Sequence, residues 1–144
     1  RQIVRVDAKG TPAVLVAEPR NYAGPRFSPD GKRLAFSIAT NVDMHVWIYD
    51  IASSTLTRLT QDGTSNYRAE WTLDGKRVLF LSNRGGRNEL WWQNADFSGA
   101  AELVVRDGKV VETLGMQDRL GLQQQLGALP PDTGEIAWAS DTDR

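Results

Sequence analysis

Residues 27–36 read FSPDGKRLAF, and residues 71–80 read WTLDGKRVLF. The two stretches lie 44 residues apart and share the Asp-Gly pair, the Lys-Arg pair that follows it and the closing phenylalanine. A period of this length is typical of repeat architectures, in which each repeat folds as one supersecondary unit. The sequence therefore predicts a repeat protein.

Each repeat contains four predicted strands. The Asp-Gly pair favours a tight hairpin between the first two, because such a turn needs positive φ angles that Gly and Asp tolerate. The two outer strands recur in three copies, at residues 2–6 and 13–16, 45–50 and 56–60, and 90–94 and 101–105. Four antiparallel strands in a repeat of 44 residues predict the blade of a β-propeller.

The whole chain of 144 residues is predicted to be one all-β propeller segment with three blades' worth of strands. Its parts are an outer half-blade (1–20), two blades (21–64 and 65–105), an inserted connection (106–130) and an inner half-blade (131–144). The leucines of the connection have spacings that suit a short helix, but Gly121 disfavours one. A helical turn and a loop packed by its own leucines both stay open.

The first and last residues fall at nearly the same point of the repeat, between the second and third strand of a blade. Three blades do not close a ring, because propellers have about four to eight. Two chains arranged head to tail would close a six-bladed ring of four-stranded blades with C2 symmetry. We expect this homodimer; the alternative is that the chain is a segment of a longer propeller.

The composition argues against several classes of partner. The 17 basic and 18 acidic residues are scattered, so no basic patch for nucleic acid is expected. No apolar run approaches the roughly 20 residues that cross a bilayer, so no membrane insertion is expected. The chain has no cysteine, which removes disulfides, thiol catalysis and thiolate zinc sites. It begins RQIVRV, as expected for a mature form or an excised piece.

The Asp-Gly stretch of residues 27–36, followed by VWIYD and TRLT, resembles the TolB-type, WD-like propeller repeat. The segments LTRLTQDGTSN and LSNRGGRNELWWQNADFSG are similar to repeats in bacterial receptor-like serine/threonine kinases and in propellers attached to peptidases. The resemblance implies a propeller that binds proteins or peptides or gates an attached enzyme, in a periplasmic or extracytoplasmic location. Two departures are Thr72-Leu73 in place of Ser-Pro, and Thr133 in place of the third glycine.

Catalytic residues, a metal site and a cofactor are not predicted. His45 is the only histidine, and the sequence lacks a Gly-x-Ser-x-Gly elbow, a His-Glu-x-x-His motif and a glycine-rich phosphate loop. We expect His45 to be a surface or interface residue. Asp132, Asp141 and Asp143 lack the spacing of a calcium loop and are expected to be solvated turn carboxylates.

A binding site is predicted at the rim of the channel, where a protein, peptide or small ligand would bind. A tyrosine before each inner strand would offer an apolar ring with a polar tip, and arginines would receive a carboxylate or sugar. The alternative is that the tyrosines fill space between blades and the arginines are merely solvated. The candidate residues are Asn21, Tyr22, Asn66, Tyr67, Arg68, Arg84 and Arg87.

Two further sets of residues are expected to be structural. Arg26 and Glu70 stand 44 residues apart on neighbouring inner strands, where opposite charges would pair. Trp47, Trp91 and Trp92 recur at the same place in the repeat and are expected to be core between blades.

The sequence favours a non-catalytic binding or scaffold module. One alternative is the propeller portion of a larger enzyme, such as a peptidase or receptor kinase, whose catalytic part lies outside this chain. A second alternative is a glycan-binding protein.

The two-chain ring predicts that light scattering will give twice the mass of one chain, constant over a concentration series. The reason is that each terminal half-blade would be completed by the partner's strands, which covers otherwise bare edges. A mass equal to one chain, or ill-defined aggregates, would contradict this ring.

Overall fold

The computed structural model describes residues 1–106 and 109–110, and this part of the chain is all-β. None of its segments is a helix long and apolar enough to cross a membrane. The strands are β1 (Ile3–Val6), β2 (Pro12–Val16), β3 (Asn21–Phe27), β4 (Arg33–Ala39), β5 (Met44–Asp50), β6 (Thr55–Arg58), β7 (Asn66–Trp71), β8 (Arg77–Ser82), β9 (Glu89–Asn94), β10 (Glu102–Arg106) and β11 (Lys109–Val110).

The strands form antiparallel sheets in which sequence neighbours pair. The sheet β3-β4-β5-β6 is the first blade, and β7-β8-β9-β10 forms the second blade. Within the described residues, β1 and β2 form a two-stranded sheet. The predicted outer strands are confirmed to within two residues at each end. The short strand β11 adds a fifth member to the second blade, which the sequence did not predict. The proposed helical turn between Met116 and Leu129, and Thr133, lie outside the described residues.

A hydroxyl group organises the hairpin between β3 and β4. Ser28 Oγ accepts the backbone amide of Arg33 at 3.0 Å and donates to the Asp30 carboxylate at 2.6 Å. Gly31 adopts φ 71°, a left-handed conformation that a residue without a Cβ adopts at no steric cost. The hydroxyl and the Lys32 amide lower the pKa of Asp30, which keeps this turn acceptor ionised.

The hairpin between β7 and β8 has the same geometry. Thr72 Oγ1 accepts the Arg77 amide at 3.1 Å and donates to the Asp74 carboxylate at 2.6 Å, while Gly75 has φ 69°. The Thr72-Leu73 departure therefore leaves the turn intact. A hydroxyl, an aspartate and a glycine at fixed spacing are sufficient for this turn geometry. The proline of the first copy is not required for it.

The core consists of two clusters that lie on opposite faces of the first blade. Because β4 is covered on both faces, five consecutive residues from Leu34 to Ile38 are buried, as in sheets packed on both sides. The cluster shared by the two blades comprises Ala35, Val46, Ile48, Leu59, Ala69, Trp71, Val78, Phe80 and Ala95. The cluster under the β1–β2 pair comprises Ile3, Val16, Tyr22, Leu34, Phe36, Ile38 and Tyr49.

The tryptophans support this core, as predicted. Trp47 and Trp91 are partly buried and pack against one cluster each. Trp92 is buried beneath the Arg77 guanidinium, which lies 4.0 Å from its ring centroid, and its Nε1 donates to Glu102.

Arg33 joins the first blade to the second. Its guanidinium donates to the carbonyl oxygens of Gly75 at 3.0 Å and Ala95 at 3.2 Å, both in turns of the second blade. It also lies 4.8 Å from the ring centroid of Trp71, within cation–π range. The Trp71 indole in turn donates to the Arg26 carbonyl.

A buried polar network also links the two blades, and it contains His45. Of the surface or interface position expected for His45, the surface one is wrong, because its exposed fraction is only 6% and it lies where the two blades meet. Its Nδ1 lies 3.0 Å from Thr60 Oγ1 and 3.3 Å from the Asn66 amide nitrogen, while Nε2 faces Asp43 at 3.5 Å. Since the Asn66 amide can only donate, we infer a neutral imidazole with its proton on Nε2.

We expect Arg33→Met to lower the free energy of unfolding by about 2 kcal/mol, because charge-assisted hydrogen bonds to two carbonyls are lost while the apolar stem over Trp71 is kept. Denaturant unfolding measures this loss. Lys32→Met, at the exposed neighbouring position, removes the same charge and should change the free energy by far less. Equal effects in both variants would contradict the role of Arg33 as an inter-blade contact.

The buried histidine predicts a pH-dependent stability. Burial lowers the pKa of His45 from 6.5, Arg58 adds to this lowering, and Asp43 opposes it. A lowered pKa means that the unfolded chain binds a proton more readily, so stability is full above pH 6.5 and falls as the pH drops below it.

Urea midpoints measured between about pH 7.5 and 5.5 should therefore fall in the wild type, around the ordinary histidine pKa. His45→Gln should flatten the decline in this window, since the chain has no other histidine. An unchanged decline in the variant would assign the pH dependence to other groups.

Candidate functional site

The inner strand of each blade carries a bulge at the same place. In β3 the register shifts between Ala23 and Arg26, and in β7 it shifts between Tyr67 and Glu70, so two residues face one on the neighbouring strand. The first bulge residue is left-handed in both blades, with φ 59° at Gly24 and 56° at Arg68. The residues that follow the two bulges, Arg26 and Glu70, both line the space between the inner strands.

A cleft of about 430 Å³ lies between these two inner strands. It falls in the size range of small-ligand sites. Its walls combine small residues, a thioether, a tyrosine ring and charged groups. The lining residues are Ala23, Gly24, Arg26, Ser37, Met44, Tyr67, Arg68, Ala69 and Glu70.

The charges of the cleft do not balance. Arg26 Nε lies 3.2 Å from Glu70 Oε2, so the predicted pair is confirmed. Both side chains are about half exposed, so the pair adds at most about 1 kcal/mol to stability. Arg68 is exposed, and within the described residues its guanidinium has no hydrogen bond or ion pair. The cleft therefore presents one unneutralised guanidinium beside an ion pair.

The two tyrosines do not occupy equivalent positions. Tyr22 pairs with Ile38, whereas the residue at the matching place of the second blade is Asn66, which pairs with Ser82. The Asn-Tyr pairs are 45 residues apart and the blades repeat every 44, so Tyr67 points to the opposite side from Tyr22. Tyr67 is half-buried and lines the cleft.

Tyr22 is a packing residue rather than a rim contact. It is buried, its ring meets Phe36 edge-to-face at 5.2 Å, and its hydroxyl donates to the Glu18 carbonyl. Burial raises the pKa of the Tyr22 hydroxyl. The alternative that this tyrosine fills space between blades is therefore the one that the structure supports.

Asn66 and Arg84 lie inside the polar network and not on an open rim. Asn66 is fully buried, and its amide donates to the carbonyls of Met44 and Asp62. Arg84 donates to Asn66 Oδ1 and Ser82 Oγ. Burial lowers the pKa of Arg84, although Asp62 opposes this. Both residues form hydrogen bonds within the protein and neither lines the cleft, so their role as ligand contacts stays a prediction.

The remaining candidates lie outside the cleft. Asn21 is exposed at the start of β3 but does not line the cleft. Arg87 is exposed and pairs with Glu89 at 3.1 Å. Of the predicted set, only Tyr67 and Arg68 come together in the cleft.

The cleft offers a guanidinium, an ion pair, a thioether and a tyrosine as possible contacts. Among residues 1–106 and 109–110, His, Asp and Glu residues form no group of three that could hold a metal ion. The three aspartates near the C-terminus lie outside the described residues.

Sequence reasoning missed Met44 and Ala23 as cleft residues. The repeat period carried the signal for Ala23, since it is the equivalent of Tyr67.

A second cleft, of about 650 Å³, lies beside the Asp-Gly turn of the second blade. Arg33 reaches into it to hold the Gly75 and Ala95 carbonyls. It belongs to the contact between the blades described above.

Comparisons with known proteins agree with this architecture. A family model described as "TolB beta propeller domain" matches residues 3–119. The Tol-Pal system protein TolB of Anaeromyxobacter dehalogenans is 34% identical over 95 residues, which cover 66% of this chain and 22% of that protein. The crystal structure of TolB from Acinetobacter baumannii has a TM-score of 0.63 and 29% identity, and the match covers 76% of this chain and 27% of that one.

The propeller domain of the Trilobed protease from Pyrococcus furiosus has a TM-score of 0.52 at 20% identity, with 65% of this chain and 30% of that chain covered. This similarity shows the fold alone. The chain thus spans less than a third of each of these three proteins. Because the family model matches well over half of the chain, the chain belongs to the TolB beta-propeller domain family.

Proposed function

We propose that the chain is a non-catalytic binding module that takes a protein or peptide segment in the cleft between the inner strands of its two blades. The observation that supports this most is the cleft itself, which is lined by Tyr67, Arg68 and Met44 together with small residues. In a closed propeller the inner strands face the central channel. A ligand in this cleft would therefore enter from the channel.

The side chains of the cleft suit a peptide. Met44 is unbranched and polarisable, so it can adapt to varied apolar side chains. Tyr67 offers a ring with a polar tip, the kind of group enriched at protein interfaces. The Arg26–Glu70 pair presents a donor and an acceptor at the edge of the same cleft.

A peptide fits better than a glycan. Sugar binding commonly uses exposed aromatic faces, but Trp47, Trp71, Trp91 and Trp92 are buried or partly buried against the core. In the part of the chain that the structure describes, the cleft has a single aromatic ring, that of Tyr67.

A second candidate is that the chain is the propeller portion of a larger enzyme. It is supported by the short coverage of the relatives and by the similarity to the propeller domain of a protease. The cleft would then hold a segment of the substrate on its way to a catalytic domain. An extracytoplasmic location is part of both proposals and rests on the family. The two-chain ring stays a prediction.

Filling the cleft should abolish peptide binding. Peptides selected from a random phage-displayed library on the wild-type chain should lose at least about tenfold in affinity for Ala23→Trp, because Ala23 lines the cleft and is exposed. Ala52→Trp introduces the same ring in an exposed turn between β5 and β6 and should bind as the wild type does.

Amide chemical shifts identify where such peptides bind. The largest shifts should fall on the inner-strand bulges, around Gly24 and Arg68. Peptides that bind Ala23→Trp and the wild type equally, with shifts far from the cleft, would overturn the proposed site.

A further inference from the structure

We infer that Arg68 receives a carboxylate group of the bound peptide; this inference rests on the proposed function of the cleft. Arg68 is the one charged residue of the cleft that has no charged partner within the described residues, and its backbone has a conformation that favours glycine. These two observations are independent of each other, and they concern the same residue.

The backbone of Arg68 is strained in a way that the fold does not require. The equivalent residue of the first blade is Gly24, and the two bulges have nearly the same φ and the same register shift. A left-handed conformation is unfavourable for any residue with a Cβ. Because glycine forms the same bulge in the same chain, an arginine at this position costs stability that glycine would not.

The local packing does not explain the arginine either. The Arg68 side chain is exposed, and no hydrogen bond, ion pair or ring contact of it is found among the described residues. At Gly24, the equivalent residue of the first blade, an added Cβ would meet no atom within 4 Å. The first bulge therefore has open space where a side chain would begin. Ser54 and Phe97 are also left-handed but lie in turns, whereas Arg68 lies within a strand, and from this outlier we infer a functional role.

The charge of the cleft defines the ligand chemistry. Glu70 is neutralised by Arg26 at 3.2 Å, so the Arg68 guanidinium is in excess. A guanidinium is a planar fork of donors that matches the two oxygens of a carboxylate. The carboxylate would come from an acidic side chain or from the C-terminus of the peptide.

Three probes with an uncharged BODIPY label distinguish these sources by anisotropy at about 0.15 M salt, where separated surface charges are largely screened. They are a hexaglutamate amide, a hexaglutamine with a free C-terminus, and a hexaglutamine amide. We expect the wild type to bind one or both of the first two more tightly than the third. Arg68→Ala and Arg68→Gly should weaken that binding about tenfold to a hundredfold, the range of a charge-assisted hydrogen bond. Arg68→Lys should retain part of it.

Arg5→Ala is the matched control, because it removes the same charge from an exposed position on β1, outside the cleft. It should weaken binding by less than about twofold, since separated surface charges are largely screened. If Arg68→Ala and Arg5→Ala have equal effects, or if neither carboxylate probe binds better than the amide, the inference is overturned. The proposed function would survive that result if Ala23→Trp still abolishes the binding of selected peptides.

Unfolding supplies a readout that does not depend on any ligand. The denaturation midpoint of Arg68→Gly should equal or exceed that of the wild type, whereas Arg68→Ala keeps the strained backbone and should not gain. A midpoint of Arg68→Gly below that of Arg68→Ala would show that the side chain stabilises the fold, and would overturn the argument from strain.

Discussion

The hydroxyl at the first position of each Asp-Gly turn is the contact on which the geometry of a blade depends. Ser28 accepts the amide of Arg33 and donates to the carboxylate of Asp30, and these hydrogen bonds stabilise the turn at this length. Because side chains alternate across a strand, the turn length decides which face of β4 each residue occupies. With both faces of β4 buried, a slip of one residue would exchange Phe36 and Ala35 between two different cores.

The same turn positions the contact between blades. Arg33 follows the turn directly, so its side chain leaves the sheet towards the second blade and reaches the carbonyls of Gly75 and Ala95. Behind it, Trp71 and Phe80 of the second blade pack on small and aliphatic residues of the first. Local hydrogen bonding thus fixes the register, and the register fixes how neighbouring blades pack.

Most of the fold was predictable because its signals are local and periodic. The turn requires a hydroxyl, an aspartate and a glycine, and these residues can be read directly from the sequence. The strands recur with the period of the repeat. The site was less predictable. The shared Asn-Tyr dipeptide suggested that Tyr22 and Tyr67 are equivalent. The register shows that their side chains lie on opposite faces of their blades. The repeat period aligns Arg68 with Gly24, but the left-handed conformation that they share is not visible in the sequence, since the bulge is defined by pairing with a neighbouring strand.

Equivalent positions in a repeat protein have the same structural role. A difference in residue type between two copies therefore indicates that one of the positions has an additional role. Tyr22 fills space beneath the β1–β2 pair, whereas Asn66 at the equivalent position joins a buried polar network with Arg84. That exchange is explained by the protein's own hydrogen bonds. The exchange of Gly24 for Arg68 is not, because it brings strain and no internal partner among the described residues. The exchange of Tyr22 for Asn66 is therefore explained by folding. The exchange of Gly24 for Arg68 instead points to a function of the cleft.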